Sequence, residues 1–161
     1  MNILAENYLS MPVKPSKINA FLFFKLPAAF FCGVRVKSIS DTTCVTSVKH
    51  RWINQNPFKS MFWAVQGMAA ELSTGALLIS IVRERKINIS MLIANNKASF
   101  SKKARGRIMF TCNEGDHIKE AVEKAIATGE GQTCWMKSIG KNSEGDIVST
   151  FEFEWAVKVR G

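Results

Sequence analysis

The pattern of apolar and polar residues is dominated by one long apolar stretch, from residue 61 to residue 82. A segment this long and this apolar must be buried on most of its surface, so it predicts a central helix that ends near Arg85. Asn56 is a good N-cap and Pro57 suits the first helical position, so we expect the helix to begin there. Gly75 is its predicted weak point.

Most of the remaining chain predicts strands, and the last strand alternates cleanly between apolar and charged residues. The predicted strands cover residues 34–40, 44–52, 107–113, 132–139 and 146–159, with short strands or one interrupted strand across 89–93 and 98–100. A second helix begins at Asp116 and is stopped by Gly129, and an amphipathic helix spans about Ser16 to Leu26.

This order of elements predicts an α+β protein in which an antiparallel sheet curls around the central helix. The sequence has no internal repeat and no linker, so we expect one domain over residues 1–161, with a helical extension at about 16–32. The phenylalanines of that extension could cover the core, line a substrate tunnel or rest on a membrane surface. Covering the core is the expected role.

Glu71 is the only charged residue within the apolar stretch. Positions four apart share a helix face, so Trp63, Gly67, Glu71 and Gly75 form one stripe. A carboxylate in such surroundings is costly to bury without a partner. The two glycines are expected to clear space where a ligand or another chain could approach, which makes Glu71 a candidate catalytic base.

Two structural interpretations compete with this catalytic one. Residues 61–82 are long enough to cross a bilayer, although an acid near the middle of a span costs roughly 2.5–3.5 kcal/mol. Alternatively, Glu71 makes a structural hydrogen bond within a core helix, and Gly67 and Gly75 serve only tight packing. We expect no membrane span, because further polar residues interrupt the same stretch.

Composition excludes several classes of protein. Of the 161 residues 47% are hydrophobic, which supports a packed core and argues against disorder. The four cysteines form no CxxC pair, and the two histidines are isolated, so no metal site is expected. Free thiols without disulfide density favour a cytoplasmic location.

The formal net charge is +9, and two basic clusters contribute to it. These clusters consist of Lys97, Lys102, Lys103, Arg105 and Arg107, and of Arg83, Arg85 and Lys86. Such surfaces attract phosphate, either in nucleic acid or in a cofactor such as coenzyme A, or they are simply solvated. The sequence contains no RNA-recognition aromatic pair, KH-type loop or helix-turn-helix pattern, so nucleic acid is not the expected partner.

With these elements placed, the chain resembles the hotdog-fold thioesterase superfamily, nearest its branch of domains of unassigned function. The resemblance covers residues 18–160. The residues that carry it are Asn56, Ser60, the run Ala70-Glu71-Leu72 and the run Lys103-Ala104-Arg105-Gly106.

Phenylacetate-type hotdog thioesterases carry Asn-x-x-Gly-x-x-His-Gly-Gly followed by Leu-Ala-Asp. If the acid is placed on Glu71, the family Asn falls on Asn56, so the resemblance implies these two as catalytic residues. The Leu-Ala falls on Ala69-Ala70, and the Gly, His and Gly-Gly fall on Lys59, Phe62 and Trp63-Ala64, where the motif is not matched.

The resemblance implies hydrolysis of an acyl-CoA or similar acyl thioester. Glu71 would activate water or attack the carbonyl directly, while the helix N-terminus polarises the carbonyl oxygen. Trp63 and Glu71 are about 12 Å apart along the helix at 1.5 Å per residue, so the site must combine two subunits of a homodimer or a dimer of dimers. The implied substrate-binding residues are Ser60, Met61, Phe62, Trp63, Gly67, Lys103 and Arg105.

Lys103 and Arg105 are expected to hold the nucleotide of coenzyme A, which enters only as part of the substrate. Two other functions remain open. Without the oxyanion-site glycines, the protein could bind an acyl group, acyl-CoA or lipid without hydrolysing it. A basic nucleic-acid-binding protein is the least favoured of the three.

Overall fold

The computed structural model describes residues 14–161. Four α-helices lie in this range: α1 (Pro15–Lys25), α2 (Pro27–Phe31), α3 (Trp63–Arg85) and α4 (Gly115–Thr128), with a short 3-10 turn at Trp52–Asn54. The strands are β1 (Arg35–Ile39), β2 (Cys44–Lys49), β3 (Ile89–Phe100), β4 (Arg107–Cys112), β5 (Gln132–Lys141) and β6 (Ile147–Val159).

The six strands form one antiparallel sheet in the order β1-β2-β4-β5-β6-β3. Helix α3 packs against β1, β2, β4, β5 and β6, so the curled sheet surrounds it. This arrangement confirms the predicted α+β hotdog fold. Strand β3 forms one edge of the sheet, where only one of its sides is paired, by β6.

Helix α3 is the core helix, and the sheet satisfies its polar side chains. Ser149 Oγ donates to Gln66 Oε1 at 2.8 Å, and Trp155 Nε1 donates to Thr74 Oγ1 at 3.0 Å. Ser73 hydrogen-bonds a serine of β5 at 2.7 Å. Within residues 14–161, α3 is the one helix long and apolar enough to cross a membrane, but 61% of its most apolar window is buried inside the protein.

The two glycines of the predicted stripe are explained largely by packing. A Cβ atom at Gly75 would lie 3.3 Å from the ring of Trp155, and one at Gly67 would lie 3.5 Å from the ring of Phe151. Both rings belong to β6. The expectation that these glycines clear open space is therefore wrong for Gly75, which is buried, and the helix continues through it without a break.

Helix α3 begins at Trp63, six residues later than predicted at Pro57. The Asn56 side chain accepts hydrogen bonds from Phe58 N at 2.9 Å and Ser60 N at 3.3 Å, which closes a local turn instead of capping a helix. Met61 N then donates to the backbone oxygen of Ala104 at 2.8 Å. The prediction of Asn56 as the helix N-cap is therefore wrong, and Phe62 takes that position.

The N-terminal segment forms two helices instead of one. Leu26 precedes a proline and leaves the helical conformation, which separates α1 from α2. Asn19 of α1 exchanges two hydrogen bonds with the backbone of Val36, at 2.8 and 3.0 Å, and so holds α1 against β1. Leu22 is buried, but Phe24 is 73% exposed, so the phenylalanines cover the core less than expected.

Strands β2 and β3 also differ from the prediction. Strand β2 ends at Lys49 because the side chain of Asn54 turns the chain, donating to the backbone oxygens of Lys49 and Cys32 at 2.9 Å each. Strand β3 is one strand of 12 residues with an irregularity between Ile93 and Asn95. The remaining strand limits agree with the prediction to within two residues.

Candidate functional site

The loop before α3 is held together by Asn56. Its Oδ1 accepts from Ser60 Oγ at 3.2 Å as well as from two backbone N–H groups, and its Nδ2 donates to the oxygen of Met61 at 3.4 Å. Ser60 and Met61 are buried as a result. These contacts fix the path of the chain into the helix.

The start of α3 offers unpaired backbone donors. Phe62 is the N-cap, and its oxygen accepts from the N–H groups of Val65 and Gln66 at 3.1 and 3.4 Å. No capping side chain bonds to the helix start. The N–H groups of Trp63 and Ala64 precede any partner in the helix, and the helix dipole makes this end attractive to negative charge.

An open groove of about 430 Å³ lies beside this helix start. It brings together five of the predicted site residues: Asn56, Ser60, Met61, Trp63 and Lys103. It also includes Lys102 and Ala104, which the sequence analysis named without assigning them to the site, and four residues that it did not name: Phe58, Gln66, Phe100 and Ser101. Phe62, Gly67, Glu71 and Arg105 do not line it.

One of the unpredicted residues could have been found from the sequence. Gln66 is the only amide side chain in the apolar stretch, and a buried amide needs a partner. The sequence cannot show that Phe100 reaches the groove. After β3 the chain passes beside the start of α3, where Met61 N donates to the backbone oxygen of Ala104. These two residues are 43 positions apart along the chain.

Glu71 lies on the face of α3 that the sheet leaves uncovered. Its side chain is exposed in the single chain, and Met68 and Leu72 beside it are half-buried. No described residue hydrogen-bonds or pairs with its carboxylate, so the predicted structural hydrogen bond is not formed. Partial desolvation by the surrounding protein raises the pKa of the Glu71 carboxyl above its ordinary value.

The same chain cannot bring Glu71 to the helix start. Glu71 follows Trp63 by eight residues, which is about 12 Å of helix. The carboxylate and the free N–H groups therefore lie too far apart to act on one carbonyl group, for which both must lie about 3 Å from the reacting atoms.

The two predicted cationic residues brace the loop before α3. Lys103 Nζ donates to the oxygen of Phe58 at 3.3 Å, and Arg105 Nε donates to the oxygen of Lys59 at 3.0 Å. Both side chains remain exposed in the segment that precedes β4. They lie within a loop, and the strand opening expected for them begins only at Arg107.

None of the four cysteines lines the groove. All four cysteines are free, and Cys44 and Cys112 face each other as partners in neighbouring strands. Burial raises the pKa of each of these two thiols to about 12. Within residues 14–161, no group of three His, Cys, Asp or Glu side chains could hold a metal ion.

Similar solved structures support the fold assignment. A Chlorobaculum tepidum protein of unknown function is 15% identical, with a TM-score of 0.78 over 92% of this chain and 99% of its own. A Pseudomonas aeruginosa thioesterase is 13% identical, with a TM-score of 0.70 over 94% and 98% of the two chains. A Staphylococcus aureus thioesterase is 15% identical, with a TM-score of 0.61 over 82% and 98%.

At these identities the likeness concerns the fold. No curated protein matches the chain. The family model described as a domain of unknown function, DUF4442, matches residues 16–157. Since this match covers most of the 161 residues, the chain belongs to the DUF4442 family and has the hotdog fold of thioesterase-like proteins.

Proposed function

We propose that the protein is an acyl-CoA thioesterase in which Glu71 is the general base or the nucleophile at a subunit interface. One observation carries the proposal. Glu71 is the only carboxylate of the apolar stretch 61–82, and it has no partner among the described residues. The side chains of Gln66, Ser73 and Thr74 in the same stretch are all hydrogen-bonded to the sheet. A carboxylate kept at such a position without a structural bond is a candidate for catalysis.

The separation along α3 requires a second subunit. Glu71 of one chain would meet the helix start and groove of the other, and the resulting site would contain both the base and the donors for the carbonyl oxygen. Two features of this chain suit such a homodimer. Strand β3 presents a free edge of 12 residues, and the sheet leaves uncovered the face of α3 that carries Glu71.

The other edge of the sheet is less available, because α1 is hydrogen-bonded to β1 through Asn19. Pairing of β3 with β3 of a second copy would continue the sheet and place two α3 helices side by side. A dimer of dimers built on the same contact is the larger assembly that this arrangement allows.

The spacing of the two proposed catalytic residues has a parallel in one similar structure. Two variants of the S. aureus thioesterase have been crystallised: one has a glutamine replaced by alanine, and the other has a glutamate replaced by alanine. These two residues lie fifteen positions apart in that protein. Asn56 and Glu71 are also fifteen positions apart. This agreement supports assigning Asn56 and Glu71 to one site.

In the proposed reaction Glu71 removes a proton from water, and the water oxygen attacks the thioester carbonyl. The N–H groups of Trp63 and Ala64 donate to the carbonyl oxygen as negative charge develops on it. The carbon–sulfur bond then breaks, and coenzyme A leaves as its thiol after its sulfur takes the proton that Glu71 removed from water. Attack by the Glu71 carboxylate itself would give an anhydride that water hydrolyses to the same products.

The other residues would bind the substrate. Ser60, Met61 and Trp63 line the groove that would receive the acyl thioester. Exposed Phe62 would face the partner subunit, and Gly67, next to Phe151 of β6, stays a proposed substrate-binding residue. Lys103 and Arg105 would contact the nucleotide phosphates of coenzyme A, since both are exposed cations beside the groove. A cytoplasmic location agrees with a coenzyme A substrate and with the free thiols.

A panel of short to long acyl-CoA substrates tests the proposal. The wild type should hydrolyse at least one of them, and Glu71→Gln should abolish turnover without lowering the melting temperature. Glu84→Gln is the matched control, because Glu84 is an exposed glutamate on the same helix. Turnover by Glu71→Gln at the wild-type rate would contradict the assignment.

One observation favours the alternative of acyl binding without hydrolysis. Bulky side chains, Phe62 and Trp63, stand at the helix start, where the related motif has a histidine and a glycine. Calorimetric binding of acyl-CoA by a wild type that shows no turnover would establish this binding function instead.

A further inference from the structure

The end of the molecule that carries the groove also carries a surface of exposed apolar and basic side chains. We call it the aromatic-basic surface and define it by Trp52, Ile53, Phe58, Lys59, Lys103 and Arg105. All six residues are exposed.

Hydrogen bonds hold the parts of this surface together. Lys103 and Arg105 donate to the backbone oxygens of Phe58 and Lys59 at 3.3 and 3.0 Å, so the two segments lie side by side. The turn that carries Trp52 is tied to the start of α3 by a backbone hydrogen bond of 2.9 Å. The surface is therefore a single fixed feature of the fold.

The apolar members of the surface contribute little to the core. Trp52 is 83% exposed, Phe58 is 71% exposed and Ile53 is 52% exposed. Large apolar side chains grouped at one end of a protein and left in water are typical of a binding surface.

The unpaired charge around these side chains is positive. Asp146 reaches the neighbouring Lys102 at 2.8 Å, but that carboxylate is already paired there. The sequence has no acidic residue from position 42 to 70 or from 85 to 113, and these ranges include the whole aromatic-basic surface. Lys103 and Arg105 bond only to backbone oxygens there, so their charges are not neutralised. A partner complementary to this surface must present negative charge around an apolar layer.

We propose that the aromatic-basic surface docks on the surface of a bilayer that contains anionic phospholipid. Tryptophan and phenylalanine favour the boundary between headgroups and acyl chains, while the cations lie among the phosphates. A second copy docked through the same surface is a poor partner, because that contact would bring like charges together. The dimer of the proposed function uses β3 and the Glu71 face of α3 instead. A nucleic acid matches less well, since Ile53 cannot stack on a base.

Docking in this orientation would also place the groove at the membrane surface, because Phe58 and Lys103 belong to both the surface and the groove lining. An acyl chain leaving the bilayer would then reach the groove without crossing water. This consequence rests on the proposed function, whereas the docking itself does not.

Sedimentation with vesicles tests the proposal, using phosphatidylcholine alone and phosphatidylcholine mixed with an equal part of phosphatidylglycerol. The full chain should bind the mixed vesicles, and raised ionic strength should weaken the binding. Trp52→Ser should reduce the vesicle partition coefficient about tenfold or more, as expected for losing one buried large apolar side chain. Leu92→Ser is its control, because Leu92 is another exposed apolar residue, near the start of β3.

Lysine provides a second matched pair. Lys59 and Lys86 are both exposed and both have positive φ, 59° and 53°, but Lys86 lies at the opposite end of α3 from the groove. Lys59→Gln should lower partition about fivefold, the effect of one lysine near an anionic surface. Lys86→Gln should leave partition unchanged.

Four results would overturn the proposal. Equal binding to neutral and mixed vesicles, or unchanged binding by Trp52→Ser, would exclude docking by this surface. Tighter binding to an oligonucleotide than to vesicles would assign the surface to nucleic acid. A shift from dimer to monomer on Trp52→Ser would assign it to contact between copies of the chain. Acyl-CoA turnover, measured without vesicles, separates each result from failure of the proposed function.

Discussion

A composite site between two subunits predicts that two inactive variants can restore each other. One variant is Glu71→Gln, which removes the proposed base but keeps the groove. The other is Asn56→Asp, which places a negative charge in the groove, where negative charge develops on the carbonyl oxygen in the proposed reaction. An aspartate at position 56 still accepts from Phe58 N and Ser60 N but no longer donates to Met61, so the loop should keep its path.

The size of the recovery follows from symmetry. Each proposed site takes its groove from one chain and its carboxylate from the other, because the two lie about 12 Å apart along one α3 helix. Random exchange makes half of the dimers mixed, and each mixed dimer has one intact site and one doubly altered site. An equal mixture should therefore recover about a quarter of wild-type activity, as two-fold symmetry requires.

The assay is acyl-CoA hydrolysis after the two variants are refolded together or coexpressed with different tags. Each variant alone should be inactive and dimeric, and tandem purification should confirm that mixed dimers are present. Mixed dimers as inactive as the parent proteins would refute the interface site, since a site within one chain leaves no intact copy in such a mixture. A stable and active wild-type monomer in light scattering would refute it as well.

Three further outcomes are expected. Lys103→Ala and Arg105→Ala should each raise the KM for acyl-CoA with little change in kcat, and the rise measured in steady-state kinetics should shrink as salt increases. Desolvation raises the pKa of the Glu71 carboxyl above 4.5. The wild type should therefore lose stability relative to Glu71→Gln as the pH rises through that raised pKa, and the two proteins should be equally stable below pH 4.5. Thermal melts of both proteins across this pH range measure the difference. Because burial raises the pKa of Cys44 and Cys112 to about 12, an alkylating agent at neutral pH should label them only after denaturant is added, as mass spectrometry would show.

Much of the fold could be predicted from the sequence because its strongest patterns are local. The apolar stretch gave α3 and its end at Arg85, and the alternation of the last segment gave β6. Gly129 was correctly predicted to stop α4, where it adopts φ 72°. In each case, neighbouring residues alone decide the structure.

The errors occur where distant contacts decide the structure. The loop from Asn56 to Met61 was predicted as helix, because the hydrogen bond from Met61 to Ala104 cannot be read from local sequence. Gly75 was assigned to a cleared space because its partner, Trp155, follows it by 80 positions. The same limit applies to Phe100, whose place in the groove depends on the path of the chain from β3 to β4.

The candidate site is better marked by what the fold leaves unsatisfied than by any motif. Four polar side chains interrupt the central part of α3, and the sheet provides hydrogen-bond partners for Gln66, Ser73 and Thr74. Replacing any of these three with an apolar residue leaves a buried partner unpaired and should weaken folding. Glu71 lacks such a partner in the described chain, so its removal has no comparable structural cost. A charge that folding does not require, on a helix otherwise fitted to the sheet, is compatible with the role that we propose for Glu71 in a site shared with a second subunit.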